Sequence, residues 1–534
     1  MQDILTSQID GPPELERQRW RVLVIASMGI FMTSLNSSIV AVALPVIGSH
    51  LRLSYSEALW VQAAFILVVT VLVVPVGRLA DMHGTLRLYT LGVLIFGLFS
   101  VVAALSPSGL FLIMASGFQG VGGALLITTS PAIVTAAFPP GERGRALGLN
   151  IMAAYLGLAI GPPLGGLIAT HLGWRWIFLV NIPFAVAAVA GARSLLGPER
   201  RDRAAERKRR GVDDRNGRVD TLGAALLGMT LVALFVPVSF SPLWGWANAR
   251  TIGLLAAAVL LASVFLIVEG RGENPVLDLD LFRRNRVFAA ANTGSLLFNG
   301  AVYGLTVLTA VLLEVVQGHS AQRAGLILLI QPAIMTIVVP FSGRLSDRVG
   351  ARGVAVLGMI FVAAGMGELA LAASTASLWR VLAALATVGL GMASFAAPNF
   401  SRVLGSVDRS KLGVASGVNA TMSFGGQGLS IAVLGAIAAS RLGPTGGRVI
   451  LLGKDAGISN TQAFVAGYRE AMLVGVGLAL AGALVSLVRE RRSYGEEILE
   501  PDDDPAAVNG MSGLAPPDQR HIRGHQCHEE DVRV

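Results

Sequence analysis

Most of the chain is made of apolar runs about twenty residues long, the length an α-helix needs to cross the hydrocarbon core of a bilayer, separated by short polar segments. Backbone groups in lipid must be hydrogen-bonded internally, so such runs are predicted to fold as membrane-spanning helices. With 53% hydrophobic and only 14% charged residues, the composition is far from that of a water-soluble protein. The fold class is therefore all-α and polytopic.

Fourteen helices fit the pattern, at 22–47, 57–77, 86–105, 109–138, 145–171, 176–196, 221–241, 251–268, 287–316, 322–342, 353–373, 378–404, 411–439 and 463–488. With the N-terminus inside, 33 of the 42 Lys and Arg fall on the cytoplasmic side, the bias that sets membrane orientation. Both termini are then cytoplasmic. The first 21 residues are polar and unlike a signal peptide. Basic residues beside apolar helices also account for the net charge of +8 without a nucleic-acid partner. Trp244 and Trp246 are expected as interfacial anchors.

A second feature orders these helices. The stretch GRLADMHGTLR, Gly77–Arg87, a polar turn between two apolar runs, returns 266 residues later as GRLSDRVGAR, Gly343–Arg352. Two copies of one unit imply a cytoplasmic N-terminus (1–21), a six-helix bundle (22–196), a basic linker (197–220), two inserted helices (221–268), a second six-helix bundle (287–488) and a polar tail expected to be disordered (489–534). The tail gathers His521, His525, Cys527 and His528, but their spacing matches no standard zinc pattern, so neither metal nor cofactor is expected. No nucleophile elbow or phosphate-binding loop is found, and an enzyme is not expected.

These motifs resemble the major facilitator superfamily, and within it the 14-helix drug:proton antiporters. Gly77, Arg78, Asp81, Gly84 and Arg87 are similar to that family's gating motif, with Gly343, Arg344, Asp347 and Arg348 as the second copy. LGLAIGPPLGG, with Gly157, Gly161, Pro162, Gly165 and Gly166, is similar to its helix-5 antiporter motif. WRWIFLVNIP (Trp174–Pro183) and SIVAVALP (Ser38–Pro45) resemble its helix-6 and helix-1 patterns. The resemblance implies two six-helix bundles with the two extra helices between them, alternating access to a substrate site near the bilayer midplane, and proton influx driving export across a bacterial inner membrane. It implies a lipophilic small-molecule substrate, protons as coupling ion and a monomer. Helices 1, 4, 9 and 12 should line the cavity, which makes Asn36, Ser37, Ser116, Gln119, Asn292, Asn299, Tyr303, Ser394, Phe395, Asn399 and Phe400 candidate contacts.

The chain departs from this pattern at one pair. Relatives carry an aspartate where it has Asn36 and an arginine where it has Ser116, so the usual charge pair is neutral. Two other carboxyls are candidate proton sites. Glu314 lies near the outer end of helix 9, and Glu368 is placed deep in helix 11 among apolar residues. Proton-driven efflux of drugs or amphiphiles is the leading expectation. A dedicated metabolite exporter, such as one for an antibiotic or siderophore, or an uncoupled facilitator is the alternative.

Overall fold

A computed structural model describes residues 13–139, 142–193, 221–271, 279–375, 377–407, 412–442, 450–451 and 458–488. The basic linker and the tail with its His/Cys group lie outside the described residues. Fourteen helices long and apolar enough to cross a membrane are present among those described. They are α1 (Pro13–Leu51), α2 (Tyr55–His83), α3 (Thr85–Ala104), α4 (Gly109–Ala137), α5 (Arg143–His171), α6 (Arg175–Arg193), α7 (Thr221–Trp244) and α8 (Ala249–Glu269). Next come α9 (Arg286–Val311, ending in a π-helical turn Leu312–Val316), α10 (Ala321–Leu328 and Ile330–Val349), α11 (Ala351–Thr375), α12 (Leu378–Gly405), α13 (Leu412–Ser440) and α14 (Ile458–Ser486).

Polar residues in the short loops start the helices. Ser54 and Glu57 form a reciprocal capping box on α2, the Glu57 N–H donating to Ser54 Oγ at 3.3 Å and the Ser54 N–H to Glu57 Oε2 at 2.8 Å. Asn285 caps α9 and Ser320 caps α10, each accepting from a backbone N–H three residues on.

The repeated stretch differs from its sequence reading. It is not a polar turn along its length, because α2 continues to His83 and α10 to Val349. The chain reverses at single residues, Gly84 with φ 103° and Gly350 with φ 90°. Each donates its N–H to the carbonyl four residues back, at 2.9 Å in both copies. Only glycine reaches these angles without strain, so the last glycine of each copy makes the turn, and Gly77 and Gly343 are helical. The end of the molecule bearing these two residues is called the turn end below, and the opposite end the far end.

α1–α6 pack on one another, as do α9–α14. Of the two intervening helices, α7 touches both sets, against α2 and α13, while α8 packs on α7. Ser56 Oγ of α2 donates to Ser239 O of α7 at 2.9 Å, and Trp60 of α2 stacks on Phe240 of α7. Trp246 is exposed, and the half-buried Trp244 stacks at 5.3 Å on Phe240, one turn back in α7.

Candidate functional site

Where the two sets of helices face each other, the far end is shut. Backbones approach closely there because small residues leave room. Gly166 of α5 lies against the Ala321 backbone, and Gly325 of α10 lies against Pro162. Gly48 meets Leu451, Gly435 meets Leu59, and the Tyr55 and Phe464 rings pack edge-on at 5.9 Å. α5 runs unbroken through Pro162 and Pro163. Its Gly157, Gly161 and Gly165 share the face toward α1, so that a Cβ at Gly157 would fall 2.7 Å from Phe31 O. The five residues of the helix-5 motif thus bind α5 to α1 on one side and to α10 on the other.

On the turn side of this seal lies a cavity of about 450 Å³, walled by α1, α2, α4, α5, α9, α10, α12 and α13. None of its lining residues is Asp, Glu, Lys, Arg or His. The wall combines aromatic and thioether groups (Phe65, Tyr155, Phe298, Phe395, Phe400, Phe424, Met335, Met392) with neutral amides and hydroxyls. Phe298 and Phe395 stack at 4.5 Å. Gln62 of α2 joins the two sides, its Nε2 donating at 3.0 Å to both Ser37 O and Tyr303 OH. Ser295 Oγ donates to Asn419 Oδ1 at 2.7 Å and accepts from Asn399 Nδ2 at 2.9 Å. Such a wall suits an uncharged or weakly polar ligand held by adaptable contacts.

Of the eleven residues expected to contact substrate, Ser37, Asn299, Tyr303, Phe395, Asn399 and Phe400 line the cavity and the others do not. Asn36 turns away from it, because neighbours on a helix diverge by about 100° and only Ser37 faces the gap. Its amide is locked inside the first bundle in a reciprocal pair with Gln119 (3.2 and 3.3 Å), while Asn181 Nδ2 donates to it at 3.3 Å and Gln119 donates to Ser100 Oγ at 2.8 Å. Ser116 is buried one turn before Gln119 in α4. Asn292 is fully buried, its Nδ2 donating back along its own helix to Phe288 O at 2.9 Å, and Ser394 Oγ is spent on Leu390 O at 2.8 Å. Sequence reasoning missed Gln62, Tyr155, Gln331, Asn419 and Gln427, which lie on helices not expected to line the cavity. Each is a polar group in a long apolar run, and the cost of leaving it in lipid was the signal available.

One carboxyl candidate departs from its expected setting. Glu368 is not isolated among apolar groups. Its Oε1 accepts from Arg380 Nε at 2.9 Å across the α11–α12 connection, with side chains 35% and 44% exposed. Glu314 keeps its place at the end of α9, is partly buried, and has its Oε1 sealed without a hydrogen-bond partner. Of the gating motif, Arg87, Arg344 and Arg348 are exposed, and the side chains of Arg78, Asp81 and Asp347 lie outside the described residues. No group of three metal-ligating side chains occurs among the described residues.

Comparison with known proteins agrees with this architecture. The family model described as Major Facilitator Superfamily matches residues 26–431. The chain is 31% identical over 408 residues to the riboflavin transporter RibZ of Clostridioides difficile, covering 76% of this chain and 85% of that one. It is 33% identical over 432 residues to the multidrug resistance protein Stp of Mycobacterium tuberculosis, covering 81% and 78%. A D-xylose–proton symporter structure superposes with a TM-score of 0.61 at 13% identity, covering 88% of this chain and 97% of that one, a likeness of fold. The chain is a multi-pass membrane transporter that belongs to the Major Facilitator Superfamily.

Proposed function

We propose that the protein exports lipophilic small molecules from the cytoplasm of a bacterium across the inner membrane, by alternating access between its two six-helix halves and driven by the proton motive force. The observation that carries the substrate class is the cavity between the halves, aromatic and amide-lined and without a charged side chain. Export is supported by the similarity to a multidrug resistance protein and by Gly166 and Pro162 of the helix-5 motif, which sit in the far-end seal. The distribution of Lys and Arg supports a cytoplasmic turn end, which makes the cavity lie on the cytoplasmic side of that seal. The backbone turns at Gly84 and Gly350 then serve as paired cytoplasmic hinges with Asp81 and Asp347, and the protein works as a monomer.

Efflux of a drug panel from a pump-deficient bacterial host tests this directly. Raised resistance to several unrelated lipophiles, lost on adding a protonophore, is the expected result; efflux that survives the protonophore would leave a facilitator. A dedicated exporter of one metabolite is the second reading, favoured by the similarity to a riboflavin transporter. Resistance to a single compound in the panel would select it.

A further inference from the structure

We infer that Glu314, in the π-helical turn that ends α9, is the carboxyl that binds and releases the driving proton, at a place separate from the substrate cavity. The inference rests on the proton-driven reading above and names the group that serves it. Three observations point there. The cavity wall carries no titratable carboxyl, so proton and substrate cannot exchange at one shared group. In the first bundle, the amides of Asn36, Gln119 and Asn181 hold one another, and none of the three titrates. The remaining carboxyl candidate, Glu368, is engaged by Arg380.

Glu314 differs from all of these. Its Oε1 is buried without a partner, and so is Nε2 of Gln317, three residues on. A carboxylate oxygen sealed from water without a cation or donor is costly. The charged and titratable groups on the elements packed against the turn are Tyr468, Arg469 and Glu470 on α14, Arg323 at the start of α10, and His319 in the intervening loop. None reaches the buried oxygen. Tyr468 OH is shared with Thr309 at 3.0 Å, Glu470 is paired with Arg441 at 2.6 Å, and Arg469 and Arg323 are exposed. Partial burial, with the Arg323 guanidinium adding to it, pushes the His319 imidazole below its ordinary value, so at neutral pH it supplies no cation.

Single π-helical turns at the ends of or within α-helices recur at functional sites. The turn continues α9, whose Thr306, Tyr303 and Asn299 line the cavity, with Thr306 about 12 Å along the axis from Glu314. In the proposed step the Glu314 carboxylate takes a proton from the outer phase, forming an O–H bond, and the acid becomes buried as the turn adopts the form seen here. The O–H bond then breaks and the proton passes to water on the cytoplasmic side while the far end is still shut, before the helix resets and the carboxylate returns to the outer phase. Substrate and proton are thus coupled by the position of α9 and not by competition for one site.

The test uses the purified full chain in liposomes, with Glu314→Gln, Glu314→Asp and Glu368→Gln. Infrared spectra should show the stretching band of a protonated, buried carboxyl in the wild type and in Glu368→Gln, titrating with pH and absent from Glu314→Gln. With riboflavin and Nile red as probes, Glu314→Gln should lose flux driven by a pH gradient and keep substrate exchange without one, and Glu314→Asp should retain part of the driven flux. A band that persists in Glu314→Gln, driven flux that persists there, or loss of exchange as well would each overturn the assignment. A wild type that shows the titrating band but no driven flux would instead defeat the proton-driven reading and leave the carboxyl identified.

Discussion

The two halves are alike in their glycine turns and unlike in their interiors. Gly84 and Gly350 reverse the chain with nearly the same φ and the same 2.9 Å hydrogen bond. Inside, the first half ties Asn36, Gln119, Ser100 and Asn181 into a cluster shut off from the cavity, whereas the second half presents Ser295, Asn399 and Asn419 to it. The shared sequence motif thus goes with a shared backbone turn, while the buried polar groups of the two sets differ. The first half keeps its buried amides to itself and meets the cavity through groups such as Ser37 and Gln62, and the second turns Asn299, Asn399, Asn419 and Gln427 toward it.

The strongest way to break this comparison is to separate the halves at the far end. Gly325→Leu drives a side chain into the Pro162 backbone, where neither helix can yield without shifting. Overpacking of this kind costs about 1–3 kcal/mol, and since it acts on the seal itself, transport should fall at least about tenfold. Wild-type efflux by this variant would remove the α5–α10 contact from the mechanism.

Hinge symmetry is tested next. Gly84→Val and Gly350→Val force a side chain into a conformation open only to glycine, at about 1–3 kcal/mol each. Thermal unfolding of the purified protein in detergent should shift down by similar amounts in both. A shift in one copy alone would mean that the repeat is symmetric in sequence but not in load.

Tyr303→Phe removes the hydroxyl that Gln62 reaches across the cavity at 3.0 Å. A neutral hydrogen bond contributes about 1 kcal/mol, so the balance between inward and outward forms should change about fivefold, read as a change in accessibility of a cysteine placed in the cavity. The smallest effect is expected at Glu368→Gln, because its partly exposed pair with Arg380 contributes under about 1 kcal/mol. Its driven flux and melting temperature should stay near wild type.

Much of this architecture is legible in the sequence, because length and hydropathy leave a backbone in lipid few options. The fourteen helices and the repeat follow from such rules. What periodicity does not give is rotation about each helix. Asn36 and Ser37 are adjacent and equally plausible, yet one packs inside a bundle and the other lines the gap. Partners distant in sequence are hidden for the same reason. Arg380 lies twelve residues beyond Glu368, and only the α11–α12 packing brings them to 2.9 Å. Gln62 was missed because the repeat argument assigned helix 2 no part in the cavity.

The difference between the interiors can be measured with one matched pair, Asn36→Ala and Asn399→Ala, each expressed to equal membrane levels and assayed for efflux across the same panel of lipophilic probes. Asn36→Ala should lower every substrate by a common factor, as loss of a scaffold contact would, while Asn399→Ala should change the order of preference among substrates. A reordered profile in Asn36→Ala together with a uniform loss in Asn399→Ala would contradict the division of labour between the halves.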